Sequence, residues 1–135
     1  TLHQLFLDSS FNKEELTVVW QTINVEHACH YCVPAHTGIA KMMKVEDSIT
    51  DALRNETPLA DAKLEALRTL TLTITRNRGQ VSQEELEAFY AAGYGEQQVL
   101  DIILGLSQKV ISNYTNRIAN TPVDAPFQKF AWEKK

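Results

Sequence analysis

Along most of this chain the apolar residues recur at steps of three and four, the spacing of one helical face rather than the alternation of a strand. Asn12 followed by Glu15 reads as a capping box, and Leu16, Val19, Trp20 and Ile23 fall at i, i+3, i+4 and i+7. The pattern predicts a helix from about Lys13 to Val25 with that stripe buried. A second helix is predicted from about Cys29 to Lys44, and a short amphipathic one from about Glu46 to Arg54. Thr57-Pro58 signals another start, because proline at the first helical position loses no needed hydrogen bond.

The run Thr69 to Thr75 is ambiguous, since leucines and an isoleucine alternate with threonines as in a strand. Helix is the reading adopted: Leu67, Leu70 and Ile74 continue a 3.6-residue stripe, and a lone strand has no partner. That helix should end near Gly79. Ser82 and Glu85 form a second capping box, opening a helix that closes at Gly93. A long helix follows from about Gly95 to Ala119, with Val99, Ile102, Ile103, Leu106 and Val110 on one face. Beyond Asn120, Pro122 and Pro126 forbid further helix. The aromatic tail through Phe127, Phe130 and Trp132 is predicted to be irregular, packing back on its own domain or onto another subunit. The expectation is one all-α domain over residues 1–135, with 120–135 as its packing tail.

Composition agrees and narrows the function. The chain has 135 residues, 44% hydrophobic and 22% charged, typical of a globular domain able to bury one core. The formal net charge is -4, with no basic run, which argues against a nucleic-acid partner. No apolar stretch approaches bilayer length, and no signal-peptide pattern opens the chain. The expected setting is therefore cytoplasmic, with no membrane partner.

There are two cysteines, Cys29 and Cys32. The loop they would close is too short for a bridge to add much stability. In a reducing compartment such thiols serve catalysis or metal binding more often. The segment Glu26 to His36 holds both cysteines and three of the four histidines. On a helix Cys29 and Cys32 are neighbours, with His36 one turn further on. A helix N-terminus favours thiolate over thiol, and His36 is placed to take the Cys32 proton. A two-thiol cycle follows: one thiolate attacks a peroxide, the resulting sulfenic acid condenses with the second thiol, and an external dithiol restores the pair. His27 and His30 read as solvent or capping residues, Tyr31 as packing, and His3 has no assigned role.

The stretch Cys29-His30-Tyr31-Cys32 with His36 resembles the core motif of the AhpD-like alkylhydroperoxidase and carboxymuconolactone decarboxylase superfamily, in particular its peroxidase-related members. The resemblance extends from about Phe11 to Trp132 through Ala35-His36-Thr37, Val81-Ser82 and Asn120-Thr121-Pro122-Val123-Asp124. It implies an all-helical fold of about six helices, assembled as a homotrimer or hexamer. It also implies a thiol-dependent peroxidase in which Cys32 is peroxidatic, Cys29 resolving and His36 the proton relay. The substrate would be a hydroperoxide and the reductant a dithiol or a protein, without metal, flavin or haem. The family's relay glutamate falls at Thr17 here, and AhpD's histidine before the second cysteine falls at Tyr31. Glu26, the nearest carboxylate in sequence, is the candidate to replace that glutamate. The alternatives are a non-enzymatic redox sensor or interaction module, a lactone decarboxylase, and a metal-binding module built from Cys29, Cys32, His36 and a neighbouring histidine.

Overall fold

The computed structural model describes every residue from Thr1 to Lys135, as seven α-helices and a C-terminal 3₁₀ helix with no strand. Helix α1 (Leu2–Leu7), which the periodicity did not announce, is capped by the Thr1 hydroxyl and buries Phe6. Helix α2 (Lys13–Glu26) opens on the expected capping box. Asn12 accepts the Glu15 N–H at 2.9 Å, and the Glu15 carboxylate accepts the Asn12 N–H at 3.0 Å.

The expected stripe of α2 is buried, but so is every residue from Glu15 to Val25. This helix is the axis of the fold, packed against α3 (Cys32–Met42), α4 (Asp47–Asn55), α5 (Ala62–Arg76) and α7 (Glu96–Ala119). A helix covered on all sides has no solvated face. Its polar residues Gln21 and Asn24 therefore find partners inside the protein.

Several predicted boundaries move. Helix α3 begins at Cys32 rather than Cys29, because α2 ends in a left-handed turn at Ala28 (φ 52°). There the Cys29 N–H bonds Asn24 O and the Ala28 N–H bonds Val25 O, the paired bonds of a Schellman cap. Helix α5 begins at Ala62, not near Pro58, with the Asp61 side chain capping Leu64. Residues before it stay out of the helix because Leu59 is buried and its N–H is taken by the Glu65 carboxylate at 3.0 Å. The ambiguous Thr69–Thr75 run is helical, with the Thr73 and Thr75 hydroxyls bonded back to the carbonyls of Thr69 and Thr71. Helix α6 (Gln83–Ala91) carries the Ser82–Glu85 box, and the chain leaves it through Gly93 (φ 111°).

Helix α7 has the predicted length but a different inner face. Ile102, Gly105, Lys109 and Asn113 are buried, whereas Ile103 is exposed and Val99, Leu106 and Val110 are half-buried. Gly105 lets α1 approach closely: a Cβ there would lie 2.7 Å from the Phe6 ring. The tail is not wholly irregular, since Ala125–Phe130 forms a 3₁₀ helix with Pro126 in its first turn, where the missing N–H costs nothing. It docks on α3 at Gly38, where a Cβ would lie 2.5 Å from Phe127. Arg54 fastens it, donating to the carbonyls of Phe130 (2.8 Å) and Ala131 (3.1 Å). No helix is long and apolar enough to cross a membrane.

Candidate redox site at the start of the third helix

The Schellman cap of α2 fixes Cys29 three residues past the helix end, and one short turn brings the chain to Cys32 at the first position of α3. The two are joined as a disulfide, with Cα atoms 5.2 Å apart. The Cys32 N–H, the first amide of α3, donates to the Cys29 sulfur at 3.1 Å, so the bridge lies at the positive end of that helix. Both cysteines are buried. Asn116 of α7 directs its amide toward the Cys32 sulfur at 3.8 Å, a distance suited to a sulfur acceptor.

Beside the bridge is a cavity of about 250 Å³. Cys29 lines it and Cys32 does not; Arg117, Asn116 and Tyr31 form other parts of its wall. Two helix ends shape it. At the far side α7 closes like α2, with Asn120 left-handed (φ 51°) and the Thr121 N–H bonded to Asn116 O. Arg117 joins these ends by donating to the carbonyls of His27 (2.9 Å) and Ala28 (3.0 Å). Tyr31 donates to Asp124 at 2.7 Å, tying the tail to the rim. That carboxylate bond raises the Tyr31 pKa, because it would be lost to repulsion on ionisation.

His36 lies one turn beyond Cys32 on α3 and is buried, its ring 4.8 Å from that of Trp20. Its Nε2 is 2.8 Å from Nζ of Lys109, a lysine only 3% exposed. The Nδ1 atom has no partner. Burial holds the His36 pKa well below 6.5, and the charges of Lys109 and His3 push it the same way. Burial also lowers Lys109 to about 8. Neither ring nitrogen bonds to sulfur in this oxidised state.

Cys29 and Cys32 are thus joined at the α2–α3 junction, and His36 stands one turn further along α3 with its ring against Lys109 and Trp20. Glu26 is engaged elsewhere: its carboxylate accepts from Arg76 of α5 at 2.8 Å, and no hydrogen bond joins it to the cysteines or His36. Thr17 is buried with its hydroxyl bonded to Lys13 O at 2.8 Å. His27, read as a solvent or capping residue, bonds Asn113 at 3.0 Å, and Asn113 in turn donates to Asn24 at 2.8 Å.

The residues that sequence reasoning missed are therefore on α7. Lys109, Asn113 and Asn116 form a polar inner stripe: Lys109 meets His36, Asn113 joins Asn24 and His27, and Asn116 reaches the Cys32 sulfur. The one sequence signal for it was a lysine standing three residues beyond Leu106 and seven beyond Ile102, inside an apolar helical pattern. Nowhere do three His, Cys, Asp or Glu side chains come together as a metal ion would require.

No protein-family model and no curated protein sequence matches the chain. Solved structures do. An uncharacterized peroxidase-related protein from Silicibacter sp. TM1040 superposes with a TM-score of 0.82 at 15% identity, covering 93% of this chain and 68% of that one. Another, described as alkylhydroperoxidase AhpD core and an uncharacterized peroxidase-related protein, from Ralstonia eutropha JMP134, gives 0.83 at 18% identity with the same coverage. At such identities the likeness is one of fold alone: the chain has the all-helical fold of these AhpD-core, peroxidase-related structures.

Proposed function

We propose that the protein is a thiol-dependent peroxidase that reduces hydroperoxides through Cys29 and Cys32, with His36 handling protons. The observation that carries this reading is the vicinal pair itself: two cysteines bridged at a helix N-terminus, beside a polar cavity and one turn from a buried histidine. A bridge closing so short a loop adds little stability, whereas its position lowers the cost of a thiolate.

The cycle balances as follows. The reduced Cys32 thiolate attacks the terminal oxygen of ROOH, the O–O bond breaks, and the leaving alkoxide takes a proton to become ROH. Cys32 is then a sulfenic acid. The Cys29 thiol condenses with it, releasing water and forming the bridge. An external dithiol attacks the bridge, leaves as its own disulfide, and returns two electrons and two protons to the cysteines. The lining of the cavity favours attack on Cys29, which faces it, with Cys32 leaving toward the Asn116 amide. Glu26 has no part in this scheme, its carboxylate being held by Arg76.

A reducing cytoplasm suits such a cycle. A homo-oligomer, trimer or hexamer, is part of the proposal, supported by the exposed apolar row Leu100, Ile103, Ile111, Tyr114 and Ile118 along α7. The test is hydroperoxide consumption with dithiols of different potential. Repeated turnover that is lost in Cys32→Ser and in Cys29→Ser supports the reading. Oxidation that stops after one equivalent per chain sinks it in favour of a redox sensor.

A further inference from the structure

We propose that Lys109 is a positioning residue that fixes the tautomer of His36, so that the ring presents its N–H at Nδ1 as the donor for the reduced Cys32 thiolate. The inference rests on the redox reading of Cys32 and goes beyond it, because the family resemblance assigns no lysine to the relay.

The geometry is restrictive. Nζ of Lys109 and Nε2 of His36 are 2.8 Å apart and both residues are buried, so one nitrogen must donate and the other accept. An ammonium has three donors and no acceptor. While Lys109 is charged, Nε2 can only be the bare nitrogen, and the single hydrogen of the neutral ring sits on Nδ1. That atom is buried without a partner. A buried donor left unpaired demands an explanation, and the oxidation state supplies one. In the bridge neither sulfur carries charge. Reduction returns a thiolate to Cys32, four residues before His36 on the same face of α3, and a thiolate is the acceptor the orphaned N–H lacks.

The charges around the pair leave this role to Lys109. Of the elements packed about the ring, α1 brings His3 and α2 brings uncharged Trp20, whose ring covers the imidazole. Arg54 of α4 is spent on Thr37 and the tail. Lys109 itself forms no ion pair. Around the cavity at Cys29 stand His30, Arg117 and, through Tyr31, Asp124, while His27 is bonded to Asn113. The test variants leave all of these in place. The lowered pKa of Lys109, about 8, keeps it cationic at neutral pH, the state the argument needs.

Two measurements on the full chain decide the matter, and neither needs a peroxide, so they stand or fall apart from the peroxidase reading. The first is nitrogen NMR of ¹⁵N-histidine-labelled wild type, reduced and oxidised. His36 protonated at Nδ1 and bare at Nε2 is expected, and the opposite tautomer overturns the proposal without any variant having to fold. The second is the pH profile of Cys32 alkylation in reduced Cys29→Ser protein. Adding Lys109→Met should raise the midpoint by about one unit, slowing alkylation roughly tenfold at pH values below both midpoints. Lys109→Arg, which also only donates, should restore most of the rate. A folded Lys109→Met protein with an unmoved midpoint, or a folded Lys109→Arg protein that behaves like it, overturns the proposal.

Discussion

The side chains of Lys109 and His36 meet nitrogen to nitrogen at 2.8 Å inside the protein, with no carboxylate in an ion pair to either. Burial penalises the charged form of each base, and the Lys109 ammonium penalises the imidazolium further. The α3–α7 contact therefore makes stability depend on pH.

The sign follows from proton binding. Lys109 titrates near 8 when folded and at its ordinary value when unfolded, so between these the unfolded chain binds more protons. Stability contributed here is fully present above the unfolded value and is lost as pH falls through 8, a difference of about 3 kcal/mol. His36 acts the same way lower down, with stability declining as pH falls below 6.5. Urea unfolding at a series of pH values should show both slopes, and Lys109→Met should remove the alkaline one. An alkaline slope that persists in the variant would contradict this.

The bridge is expected to matter far more for chemistry than for folding. Closing a loop this short restricts the unfolded chain by about 2 kcal/mol at most. The reduced protein should keep its helical circular dichroism and unfold at only modestly lower denaturant. Collapse of the fold on adding a reductant would show that the bridge is structural.

Gly38 is where the tail comes closest to α3. Gly38→Ala would place a methyl group 2.5 Å from the Phe127 ring, at a cost of about 1–3 kcal/mol if the tail stays docked. The alternative is release of the tail, which takes Trp132 away from His30 and from the Arg54 carbonyl it bonds at 2.9 Å. Thermal unfolding and tryptophan fluorescence distinguish the two. A variant with wild-type melting and emission would contradict the packing described.

The outer face of α7 tests the assembly. Ile111 and Ile118 are 59% and 87% exposed, so Ile111→Glu and Ile118→Glu should cost the monomer little. If this row mediates self-association, sedimentation should show both variants shifted toward monomer. Unchanged sedimentation would place the interface elsewhere.

The helices announced by caps were legible in the sequence. Asn12–Glu15 and Ser82–Glu85 are local hydrogen-bonding units, complete within four residues, and their helices open where they stand. The spacing of Cys29, Cys32 and His36 was equally local, and the structure joins the two cysteines as a bridge. Boundaries that depended on distant burial were not. Pro58 offered a good helix start, but burial of Leu59 delayed the helix to Ala62. Ala28 carries no sequence mark of a left-handed turn, yet it places Cys29 before α3 rather than on it.

Local pattern alone settled that the chain is helical, where two of its helices begin, and that two thiols and an imidazole fall within eight residues of sequence. Those are short-range facts, set by capping bonds and the 3.6-residue period. Only the packing of α7 against α2 and α3 brought Lys109 to His36 and Asn116 to the Cys32 sulfur, across more than seventy positions of sequence. It also turned Glu26 away to Arg76. A polar side chain is buried only where a distant partner satisfies it, and no periodicity records which partner that will be.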